Sequence, residues 1–253
     1  MPELPIRGAG VREAGLALPP ERMPFMRKGR PLKRWRYEAF YGPELMLCVG
    51  DAHVAGVRQR WWALALPDGR LFEGERFPGS LVLEEGPAVE VLSPHGRSYI
   101  WTRKQALLQA SVAVHLPEGD FSSEGRYGFI DESAGYHARR TTWRWSAGVG
   151  RLRDGRPAAW NLVDGVHDAP VASERTVWVE GEPHEVGSVE FAGDLSSVGG
   201  LRFTEWSARE DHTNRLVMRS DYRQPFGSFA GELPGGLELE SGYGVMEWHD
   251  VRW

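Results

Sequence analysis

The sequence predicts an all-β protein, two tandem antiparallel β-barrels packed together behind an extended N-terminal arm, and three observations lead there. The first is an internal repeat. Tyr127-Gly128-Phe129-Ile130-Asp131 returns as Tyr243-Gly244-Val245-Met246-Glu247, and three more pairs keep the same order: Trp35-Arg36-Tyr37 with Trp143-Arg144-Trp145, Val49-Gly50-Asp51-Ala52-His53 with Val163-Asp164-Gly165-Val166-His167, and Arg60-Trp61-Trp62 with Arg175-Thr176-Val177-Trp178. Four pairs in register over most of the chain imply two related halves. The second is composition: 11 Trp, 7 Tyr and 10 Phe beside 31 Gly and 17 Pro favour strands joined by frequent turns. The third is spacing, because each half holds roughly seven or eight short apolar or alternating runs, the pattern of a barrel or sandwich.

In chain order, residues 1–30 carry Pro2, Pro5, Pro19, Pro20 and Pro24 and little periodicity, so they read as an arm lying over the body. The first barrel is placed at 31–138 and the second at 139–253. Lys33 to Phe40 alternates Trp35, Tyr37 and Ala39 against Arg34, Arg36 and Glu38, the period of a half-buried strand. Leu45 to Val49 and Arg60 to Leu66 follow as short apolar runs, the second closed by the turn Pro67-Asp68-Gly69. Further strands are expected near 81–84, 88–92, 98–102, 111–115 and 127–131. Between them, 104–110 reads equally as helix or strand. The second half supplies 141–147, 159–163, 176–180, 188–191, 201–206, 215–219, 228–233 and 243–251, with turns at Asp154-Gly155, Glu180-Gly181 and Gly235-Gly236. Closing such sheets removes edges that would otherwise pair with other chains.

Bulk properties narrow the function classes. A single Cys48 rules out an intrachain disulfide and a Cys-rich metal site, and it suits a reducing compartment, so a cytoplasmic location is expected. No apolar run approaches the length of a membrane-spanning helix, which predicts no integral membrane association. The net charge of −5 gives no reason to expect nucleic acid. A basic stretch, Arg22 to Arg36, reads as a solvated arm. No cofactor is expected, because glycine-rich phosphate loops are absent, and eight His residues lack paired ligand spacing, which argues against metal. Ser133 and Ser173 lie in no nucleophile-elbow context.

Ionisable and aromatic residues concentrate between Asp131 and Asp168. On the run from Trp160 to Asp164, alternation puts Trp160, Leu162 and Asp164 on one face and Asn161 and Val163 on the other. A carboxyl group against a dry aromatic wall keeps its proton near neutral pH and can deliver it. Asp164 with His167 is thus a candidate acid and imidazole, although Asp164-Gly165 reads equally as a turn. Tyr136, His137 and Glu205 complete the candidate catalytic set. Trp143, Trp145, Trp160, Asn161, Trp178 and Arg175 form the candidate ligand-binding set, their indoles suited to an apolar ligand or a cation. Asp131 and Glu247 occupy matching places in the repeat, as do Arg60 and Arg175, so each barrel is expected to bury an acid paired with an arginine.

From Met23 onward, and most specifically at Leu32-Lys33-Arg34-Trp35-Arg36-Tyr37, Arg58-Gln59-Arg60-Trp61-Trp62, Ser133-Ala134-Gly135-Tyr136-His137, Trp160-Asn161-Leu162-Val163-Asp164-Gly165 and Tyr243-Gly244-Val245-Met246-Glu247, the chain resembles a domain family of unknown function, family 2804. More distantly it resembles the lipocalin-like (calycin) double barrels of carotenoid hydratases and tocopherol cyclases. That resemblance implies proton-initiated hydration, cyclisation, isomerisation or elimination on an apolar, isoprenoid or lipid-like molecule, with an Asp as acid. Relatives of the hydratase kind carry an Asp-His-x-Trp segment after the Trp, whereas here Asp164 and His167 stand at a different spacing. Three functions are therefore carried forward: a cofactor-independent acid–base enzyme, a carrier of a hydrophobic ligand, and an interaction module with filled barrels.

Overall fold

The computed structural model describes residues 3–215 and 218–253. In chain order the elements are β1 (Ile6–Arg7), α1 (Gly10–Glu13), β2 (Met26–Arg27), β3 (Arg30–Pro31), β4 (Lys33–Tyr41), β5 (Met46–Val54), β6 (Val57–Ala65), β7 (Leu71–Gly74), β8 (Gly79–Leu83), β9 (Val89–His95), β10 (Ser98–Leu116) and β11 (Gly119–Gly135). The second half follows with β12 (Arg140–Leu152), β13 (Pro157–Asp164), β14 (Thr176–Val179), β15 (Glu182–Glu185), β16 (Ser197–Val198), β17 (Gly200–Arg215), β18 (Met218–Leu233) and β19 (Leu237–Arg252). The strand expected at 215–219 spans residues 216–217, which lie outside the described residues. The run expected at 188–191 forms only an isolated bridge, Phe191 to Val198.

Two antiparallel sheets result, and they are built alike. In each half the first strand pairs with the last, β4 with β11 and β12 with β19, while the meander runs outward through β5, β6 and β7 or β13, β14 and β15. On the other side β10 carries both β8 and β9, and β18 carries β17 and then β16. Both ladders thus form curled half-barrels that open at the same place, between the fourth and fifth strands of the repeat. Register repeats too: Asp131 lies opposite Tyr37, and Glu247 lies opposite Trp145. Two of the matched motif pairs fall wholly on matched strands, β4 with β12 and β11 with β19, while Gly165 to His167 lie beyond β13 and Arg175 just before β14.

The ambiguous stretch at 104–110 is strand. β10 pairs with β9 over Ser98–Lys104 and with β8 over Ala110–Val114, staying on β11 between them, and register shifts at Ala106/Leu108 and Leu108/Ala110 mark bulges around Leu107, whose φ is +56°. Extra residues at a bulge disturb the alternation of two, which explains why the sequence looked half helical. The N-terminal arm is less extended than expected, since it contains α1 and the β2–β3 hairpin and adds β1 to the edge of β9. Nor is its basic stretch simply solvated. Lys33 is buried, Arg30 donates to the His95 carbonyl at 2.9 Å, and Arg36 pairs with Glu38, Glu85 and Glu132.

Four apolar clusters hold the chain together. One fills the concavity of the first sheet around Phe40, Leu47, Leu64 and Val112; another fills the second around Trp160, Leu162, Phe229 and Met246. A third anchors the arm through Val11, Leu18 and Tyr99. The largest joins the two sheets, with Tyr37, Tyr41 and Phe129 meeting Trp145, Trp178 and Val245. Among the described residues no helix is long and apolar enough to cross a membrane.

Candidate active site between the sheets

At one end of the intersheet cluster lies a partly open cavity of about 180 Å³, walled by Trp35, Tyr37 and Trp61 from the first sheet and Trp143, Trp145 and Tyr222 from the second. Alternation along the strands explains the wall. Trp35 and Tyr37 share one face of β4, Asp131 and Ser133 one face of β11, and Glu247, His249 and Val251 one face of β19. Trp61 can lie across β5 because its neighbour there is Gly50, where a Cβ would meet the indole at 2.1 Å.

The two repeat-related acids both face this space, and the repeat is broken at their partners. Asp131 forms an ion pair with Lys104 of β10 at 2.6 Å, and the same ammonium lies 3.4 Å from Glu174. Burial works against the Lys104 charge, but the two carboxylates outweigh it and raise its pKa. In the second half the corresponding neighbour on β18 is Gln224, whose amide donates to Glu247 at 2.9 Å. Trp143 and Tyr222 also donate to Glu247, at 2.7 and 3.1 Å. These three donors carry no formal charge. Burial therefore dominates and, with the negative field of Asp131, pushes the Glu247 carboxyl up to about 7. One acid is ion-paired; the other is poised to hold a proton near neutrality.

Three imidazoles share the cavity, buried His137 and His167 and part-buried His249. His249 packs 4.4 Å from the Trp143 ring, its Nε2 2.7 Å from the Ser220 hydroxyl, and burial lowers its pKa to about 4. His137 and His167 fall well below the ordinary range, first through burial and then through neighbouring positive groups. All three are neutral at physiological pH. Behind them Asn161 accepts from the Trp145 indole at 2.7 Å and donates to the Glu174 carbonyl at 3.0 Å, which fixes the Trp145 ring beneath Lys104.

The candidates named from sequence divide accordingly. His137, His167, Trp143 and Trp145 line the cavity, and Asn161 supports it. Asp164 does not: it is exposed at the end of β13, 3.8 Å from Arg144, and starts the turn through Gly165. Trp160 faces the concavity of the second sheet, its indole donating to Ser146. The choice of face on β13 was reversed because the strand is buried on both sides, so alternation could not say which side fronts the cavity. Glu205 is held at the surface by Arg223, Tyr136 donates to the Pro24 carbonyl beneath the arm, and Trp178 packs edge-on against Phe129 in the core. Neither arginine pairs with a buried acid. Arg60 is 56% exposed beside Asp51, while buried Arg175 donates to the carbonyls of Asp168, Ala169 and Val186. Arg60→Ala should leave the thermal midpoint within about 2 °C of the parent. Arg175→Ala, which strips donors from buried carbonyls, should cost about 3 kcal/mol or more, and parallel melts check the contrast.

Sequence reasoning missed Lys104, Tyr222, Gln224, Arg209 and His249. Arg209 lies 5.6 Å from the Trp61 ring centre and 5.2 Å from that of Tyr222, at the rim. Among the described residues no group of three or more His, Cys, Asp or Glu is arranged to hold a metal ion.

A double half-barrel with an acid and neutral imidazoles in an aromatic intersheet cavity defines the class. The family model described as Domain of unknown function (DUF2804) matches residues 58–253, and the chain belongs to that family. The sequence matches no curated protein. Among solved structures, the fold is similar to kievitone hydratase from Nectria haematococca at 6% identity, with a TM-score of 0.48 over 85% of this chain and 88% of that one. It is also similar to CghA in complex with Sch210972 at 9% identity, with a TM-score of 0.42 over 87% of this chain and 88% of that one. At such distances no chemistry passes from one chain to another.

The protonation states predict an opposed pH response. Glu247 holds its proton more tightly folded than unfolded, so its contribution is fully present below about 4.5 and is lost as pH rises through about 7, on the order of 3 kcal/mol. His249 has the opposite sign: its contribution is present above about 6.5 and is lost as pH falls toward about 4. Urea unfolding of Glu247→Gln at pH 5 and pH 7.5 should therefore show a steeper gain in stability with pH than the parent.

Proposed function

We propose that this protein is a cofactor-independent acid–base enzyme, of hydratase, cyclase, isomerase or lyase type, acting on a hydrophobic small molecule in the intersheet cavity. Glu247 is the proton donor. The observation that carries the reading is this carboxyl, buried, raised to about 7 and held by three uncharged donors in a wall of indoles. A cation made by protonating a double bond would lie against Trp143 and Trp35, since the face of Trp145 already carries the Lys104 ammonium at 5.6 Å. Asp131, ion-paired with Lys104 at 2.6 Å, lines the same cavity. His249, neutral and oriented by Ser220, is placed to accept a proton or direct a water.

A non-catalytic carrier would also use an aromatic wall. It would have no use for an acid tuned toward neutrality, which is why catalysis is favoured. Native mass spectrometry of the purified protein, with release of any bound hydrophobe on denaturation, supplies a ligand. Conversion of that molecule by fresh protein, with gain or loss of water or isomerisation, supports the enzyme; recovery of it unchanged at all pH values supports the carrier.

A further inference from the structure

One end of the cavity gathers buried nitrogens without partners. Behind the cavity wall, Lys33 shares the face of β4 with Trp35 and Tyr37, is 1% exposed, and places its Nζ over the ring of the lining residue Trp253, 4.8 Å from its centre. Among the described residues no carboxylate forms an ion pair with it, and the charge that bears on it is the Arg30 guanidinium; burial, then Arg30, lowers its pKa to about 8. His137 lies 6.4 Å from Trp253, 5.6 Å from His95 and 5.0 Å from Trp35. The Nδ1 of His137, the Nε2 of His167 and the Nε1 of Trp253 are all buried without a partner, and these three residues line the cavity. His137 and His167 are only 2% and 7% exposed, and the second is fixed through its Nδ1, 2.8 Å from the Ser93 hydroxyl.

Buried polar atoms are ordinarily satisfied, so orphans gathered at one end of one cavity mark a place where something binds. Among the described residues no carboxylate bonds to them. Asp131 and Glu174 are engaged by Lys104, and exposed Asp168 accepts from the Gly165 N–H. An unpaired ammonium beside neutral imidazoles and an indole N–H suits an oxyanion, which takes one counter-charge and several donors. We propose that this end holds the carboxylate head of an otherwise apolar small molecule, with Lys33 as counter-charge and His137, His167 and Trp253 as N–H donors. At about 180 Å³ the cavity accepts a single ring with its head group. Such binding rests on the cavity being the ligand site read above, but needs no reaction to occur there.

Benzoate and benzyl alcohol, titrated calorimetrically into the full native chain, test the assignment. Benzoate should bind at least about tenfold more tightly, and it alone should move the ring ¹⁵N resonances of His137 and His167 while exposed His184 stays still. Lys33→Met should level the two affinities, whereas Lys33→Arg should keep most of the preference. Should Lys33→Met fail to fold, the ring shifts of the native protein decide the matter. Glu247→Gln should retain the preference, so loss of turnover there cannot be mistaken for loss of the head-group site. Equal affinity for the two probes, failure of benzoate to bind, or benzoate binding that leaves His137 and His167 unmoved overturns the proposal.

Discussion

Glu247→Gln should abolish most turnover of whatever molecule the cavity converts, lowering kcat by about 10²–10⁴ while leaving affinity nearly unchanged. The replacement is close in shape, and the partners can adapt. Its carbonyl still accepts from the Trp143 indole, and the Gln224 amide and Tyr222 hydroxyl can reverse their roles to meet the new NH₂. Only the proton is removed. Two readouts follow, one of them free of any substrate. In the native protein a Glu carboxyl ¹³C resonance should titrate with a midpoint near 7 and vanish in the variant. The native rate, tied to the protonated acid, should fall as pH rises past about 7. A Glu247 resonance titrating near the ordinary carboxylate value would remove this residue as the acid, and so would unchanged kcat in Glu247→Gln.

The architecture was legible because a duplicated chain states its pattern twice. Tyr127 to Asp131 and Tyr243 to Glu247 were recognisable as one motif, and the strands that carry them hold the same place and register. The site was legible only in outline. Asp131 and Glu247 stood out as repeat-related acids, but repetition argued for structure, and their partners were sought on the repeat-related arginines. Those lie on β6 and just before β14, away from β11 and β19 in the sheet order. The residues that distinguish the acids are the cross-strand neighbours, Lys104 and Gln224, and a pairing partner is set by register between strands rather than by spacing along one. The bulge near Leu107 hid even the type of element that carries Lys104. His249 illustrates the same limit. It is one of eight histidines without paired ligand spacing, and the β12–β19 register that sets it opposite Trp143 brings it against that ring.

Lys104→Met should be among the most damaging single substitutions, and it tests the broken symmetry from the structural side. The methionine fills similar volume and preserves the apolar stem, but it takes the ion-pair partner from buried Asp131 and Glu174, of which Glu174 alone keeps a positive neighbour, Arg7. Removing one partner of a buried ion pair costs about 3–5 kcal/mol, which for a chain of this size lowers the midpoint by roughly 6–20 °C. Lost packing and lost charge can be told apart by pH. Burial already raises the Asp131 pKa even with the ammonium present, and without it Asp131 escapes the penalty by taking a proton. The deficit of Lys104→Met relative to the parent should therefore be large at pH 8 and shrink toward pH 5. Asp131→Asn combined with Lys104→Met should recover part of the loss, because one of the two stranded charges is gone. A deficit equal at both pH values would mean that Lys104 serves packing alone. The contrast between a neutralised and a protonated acid, on which the catalytic role of Glu247 depends, would then lose its first half.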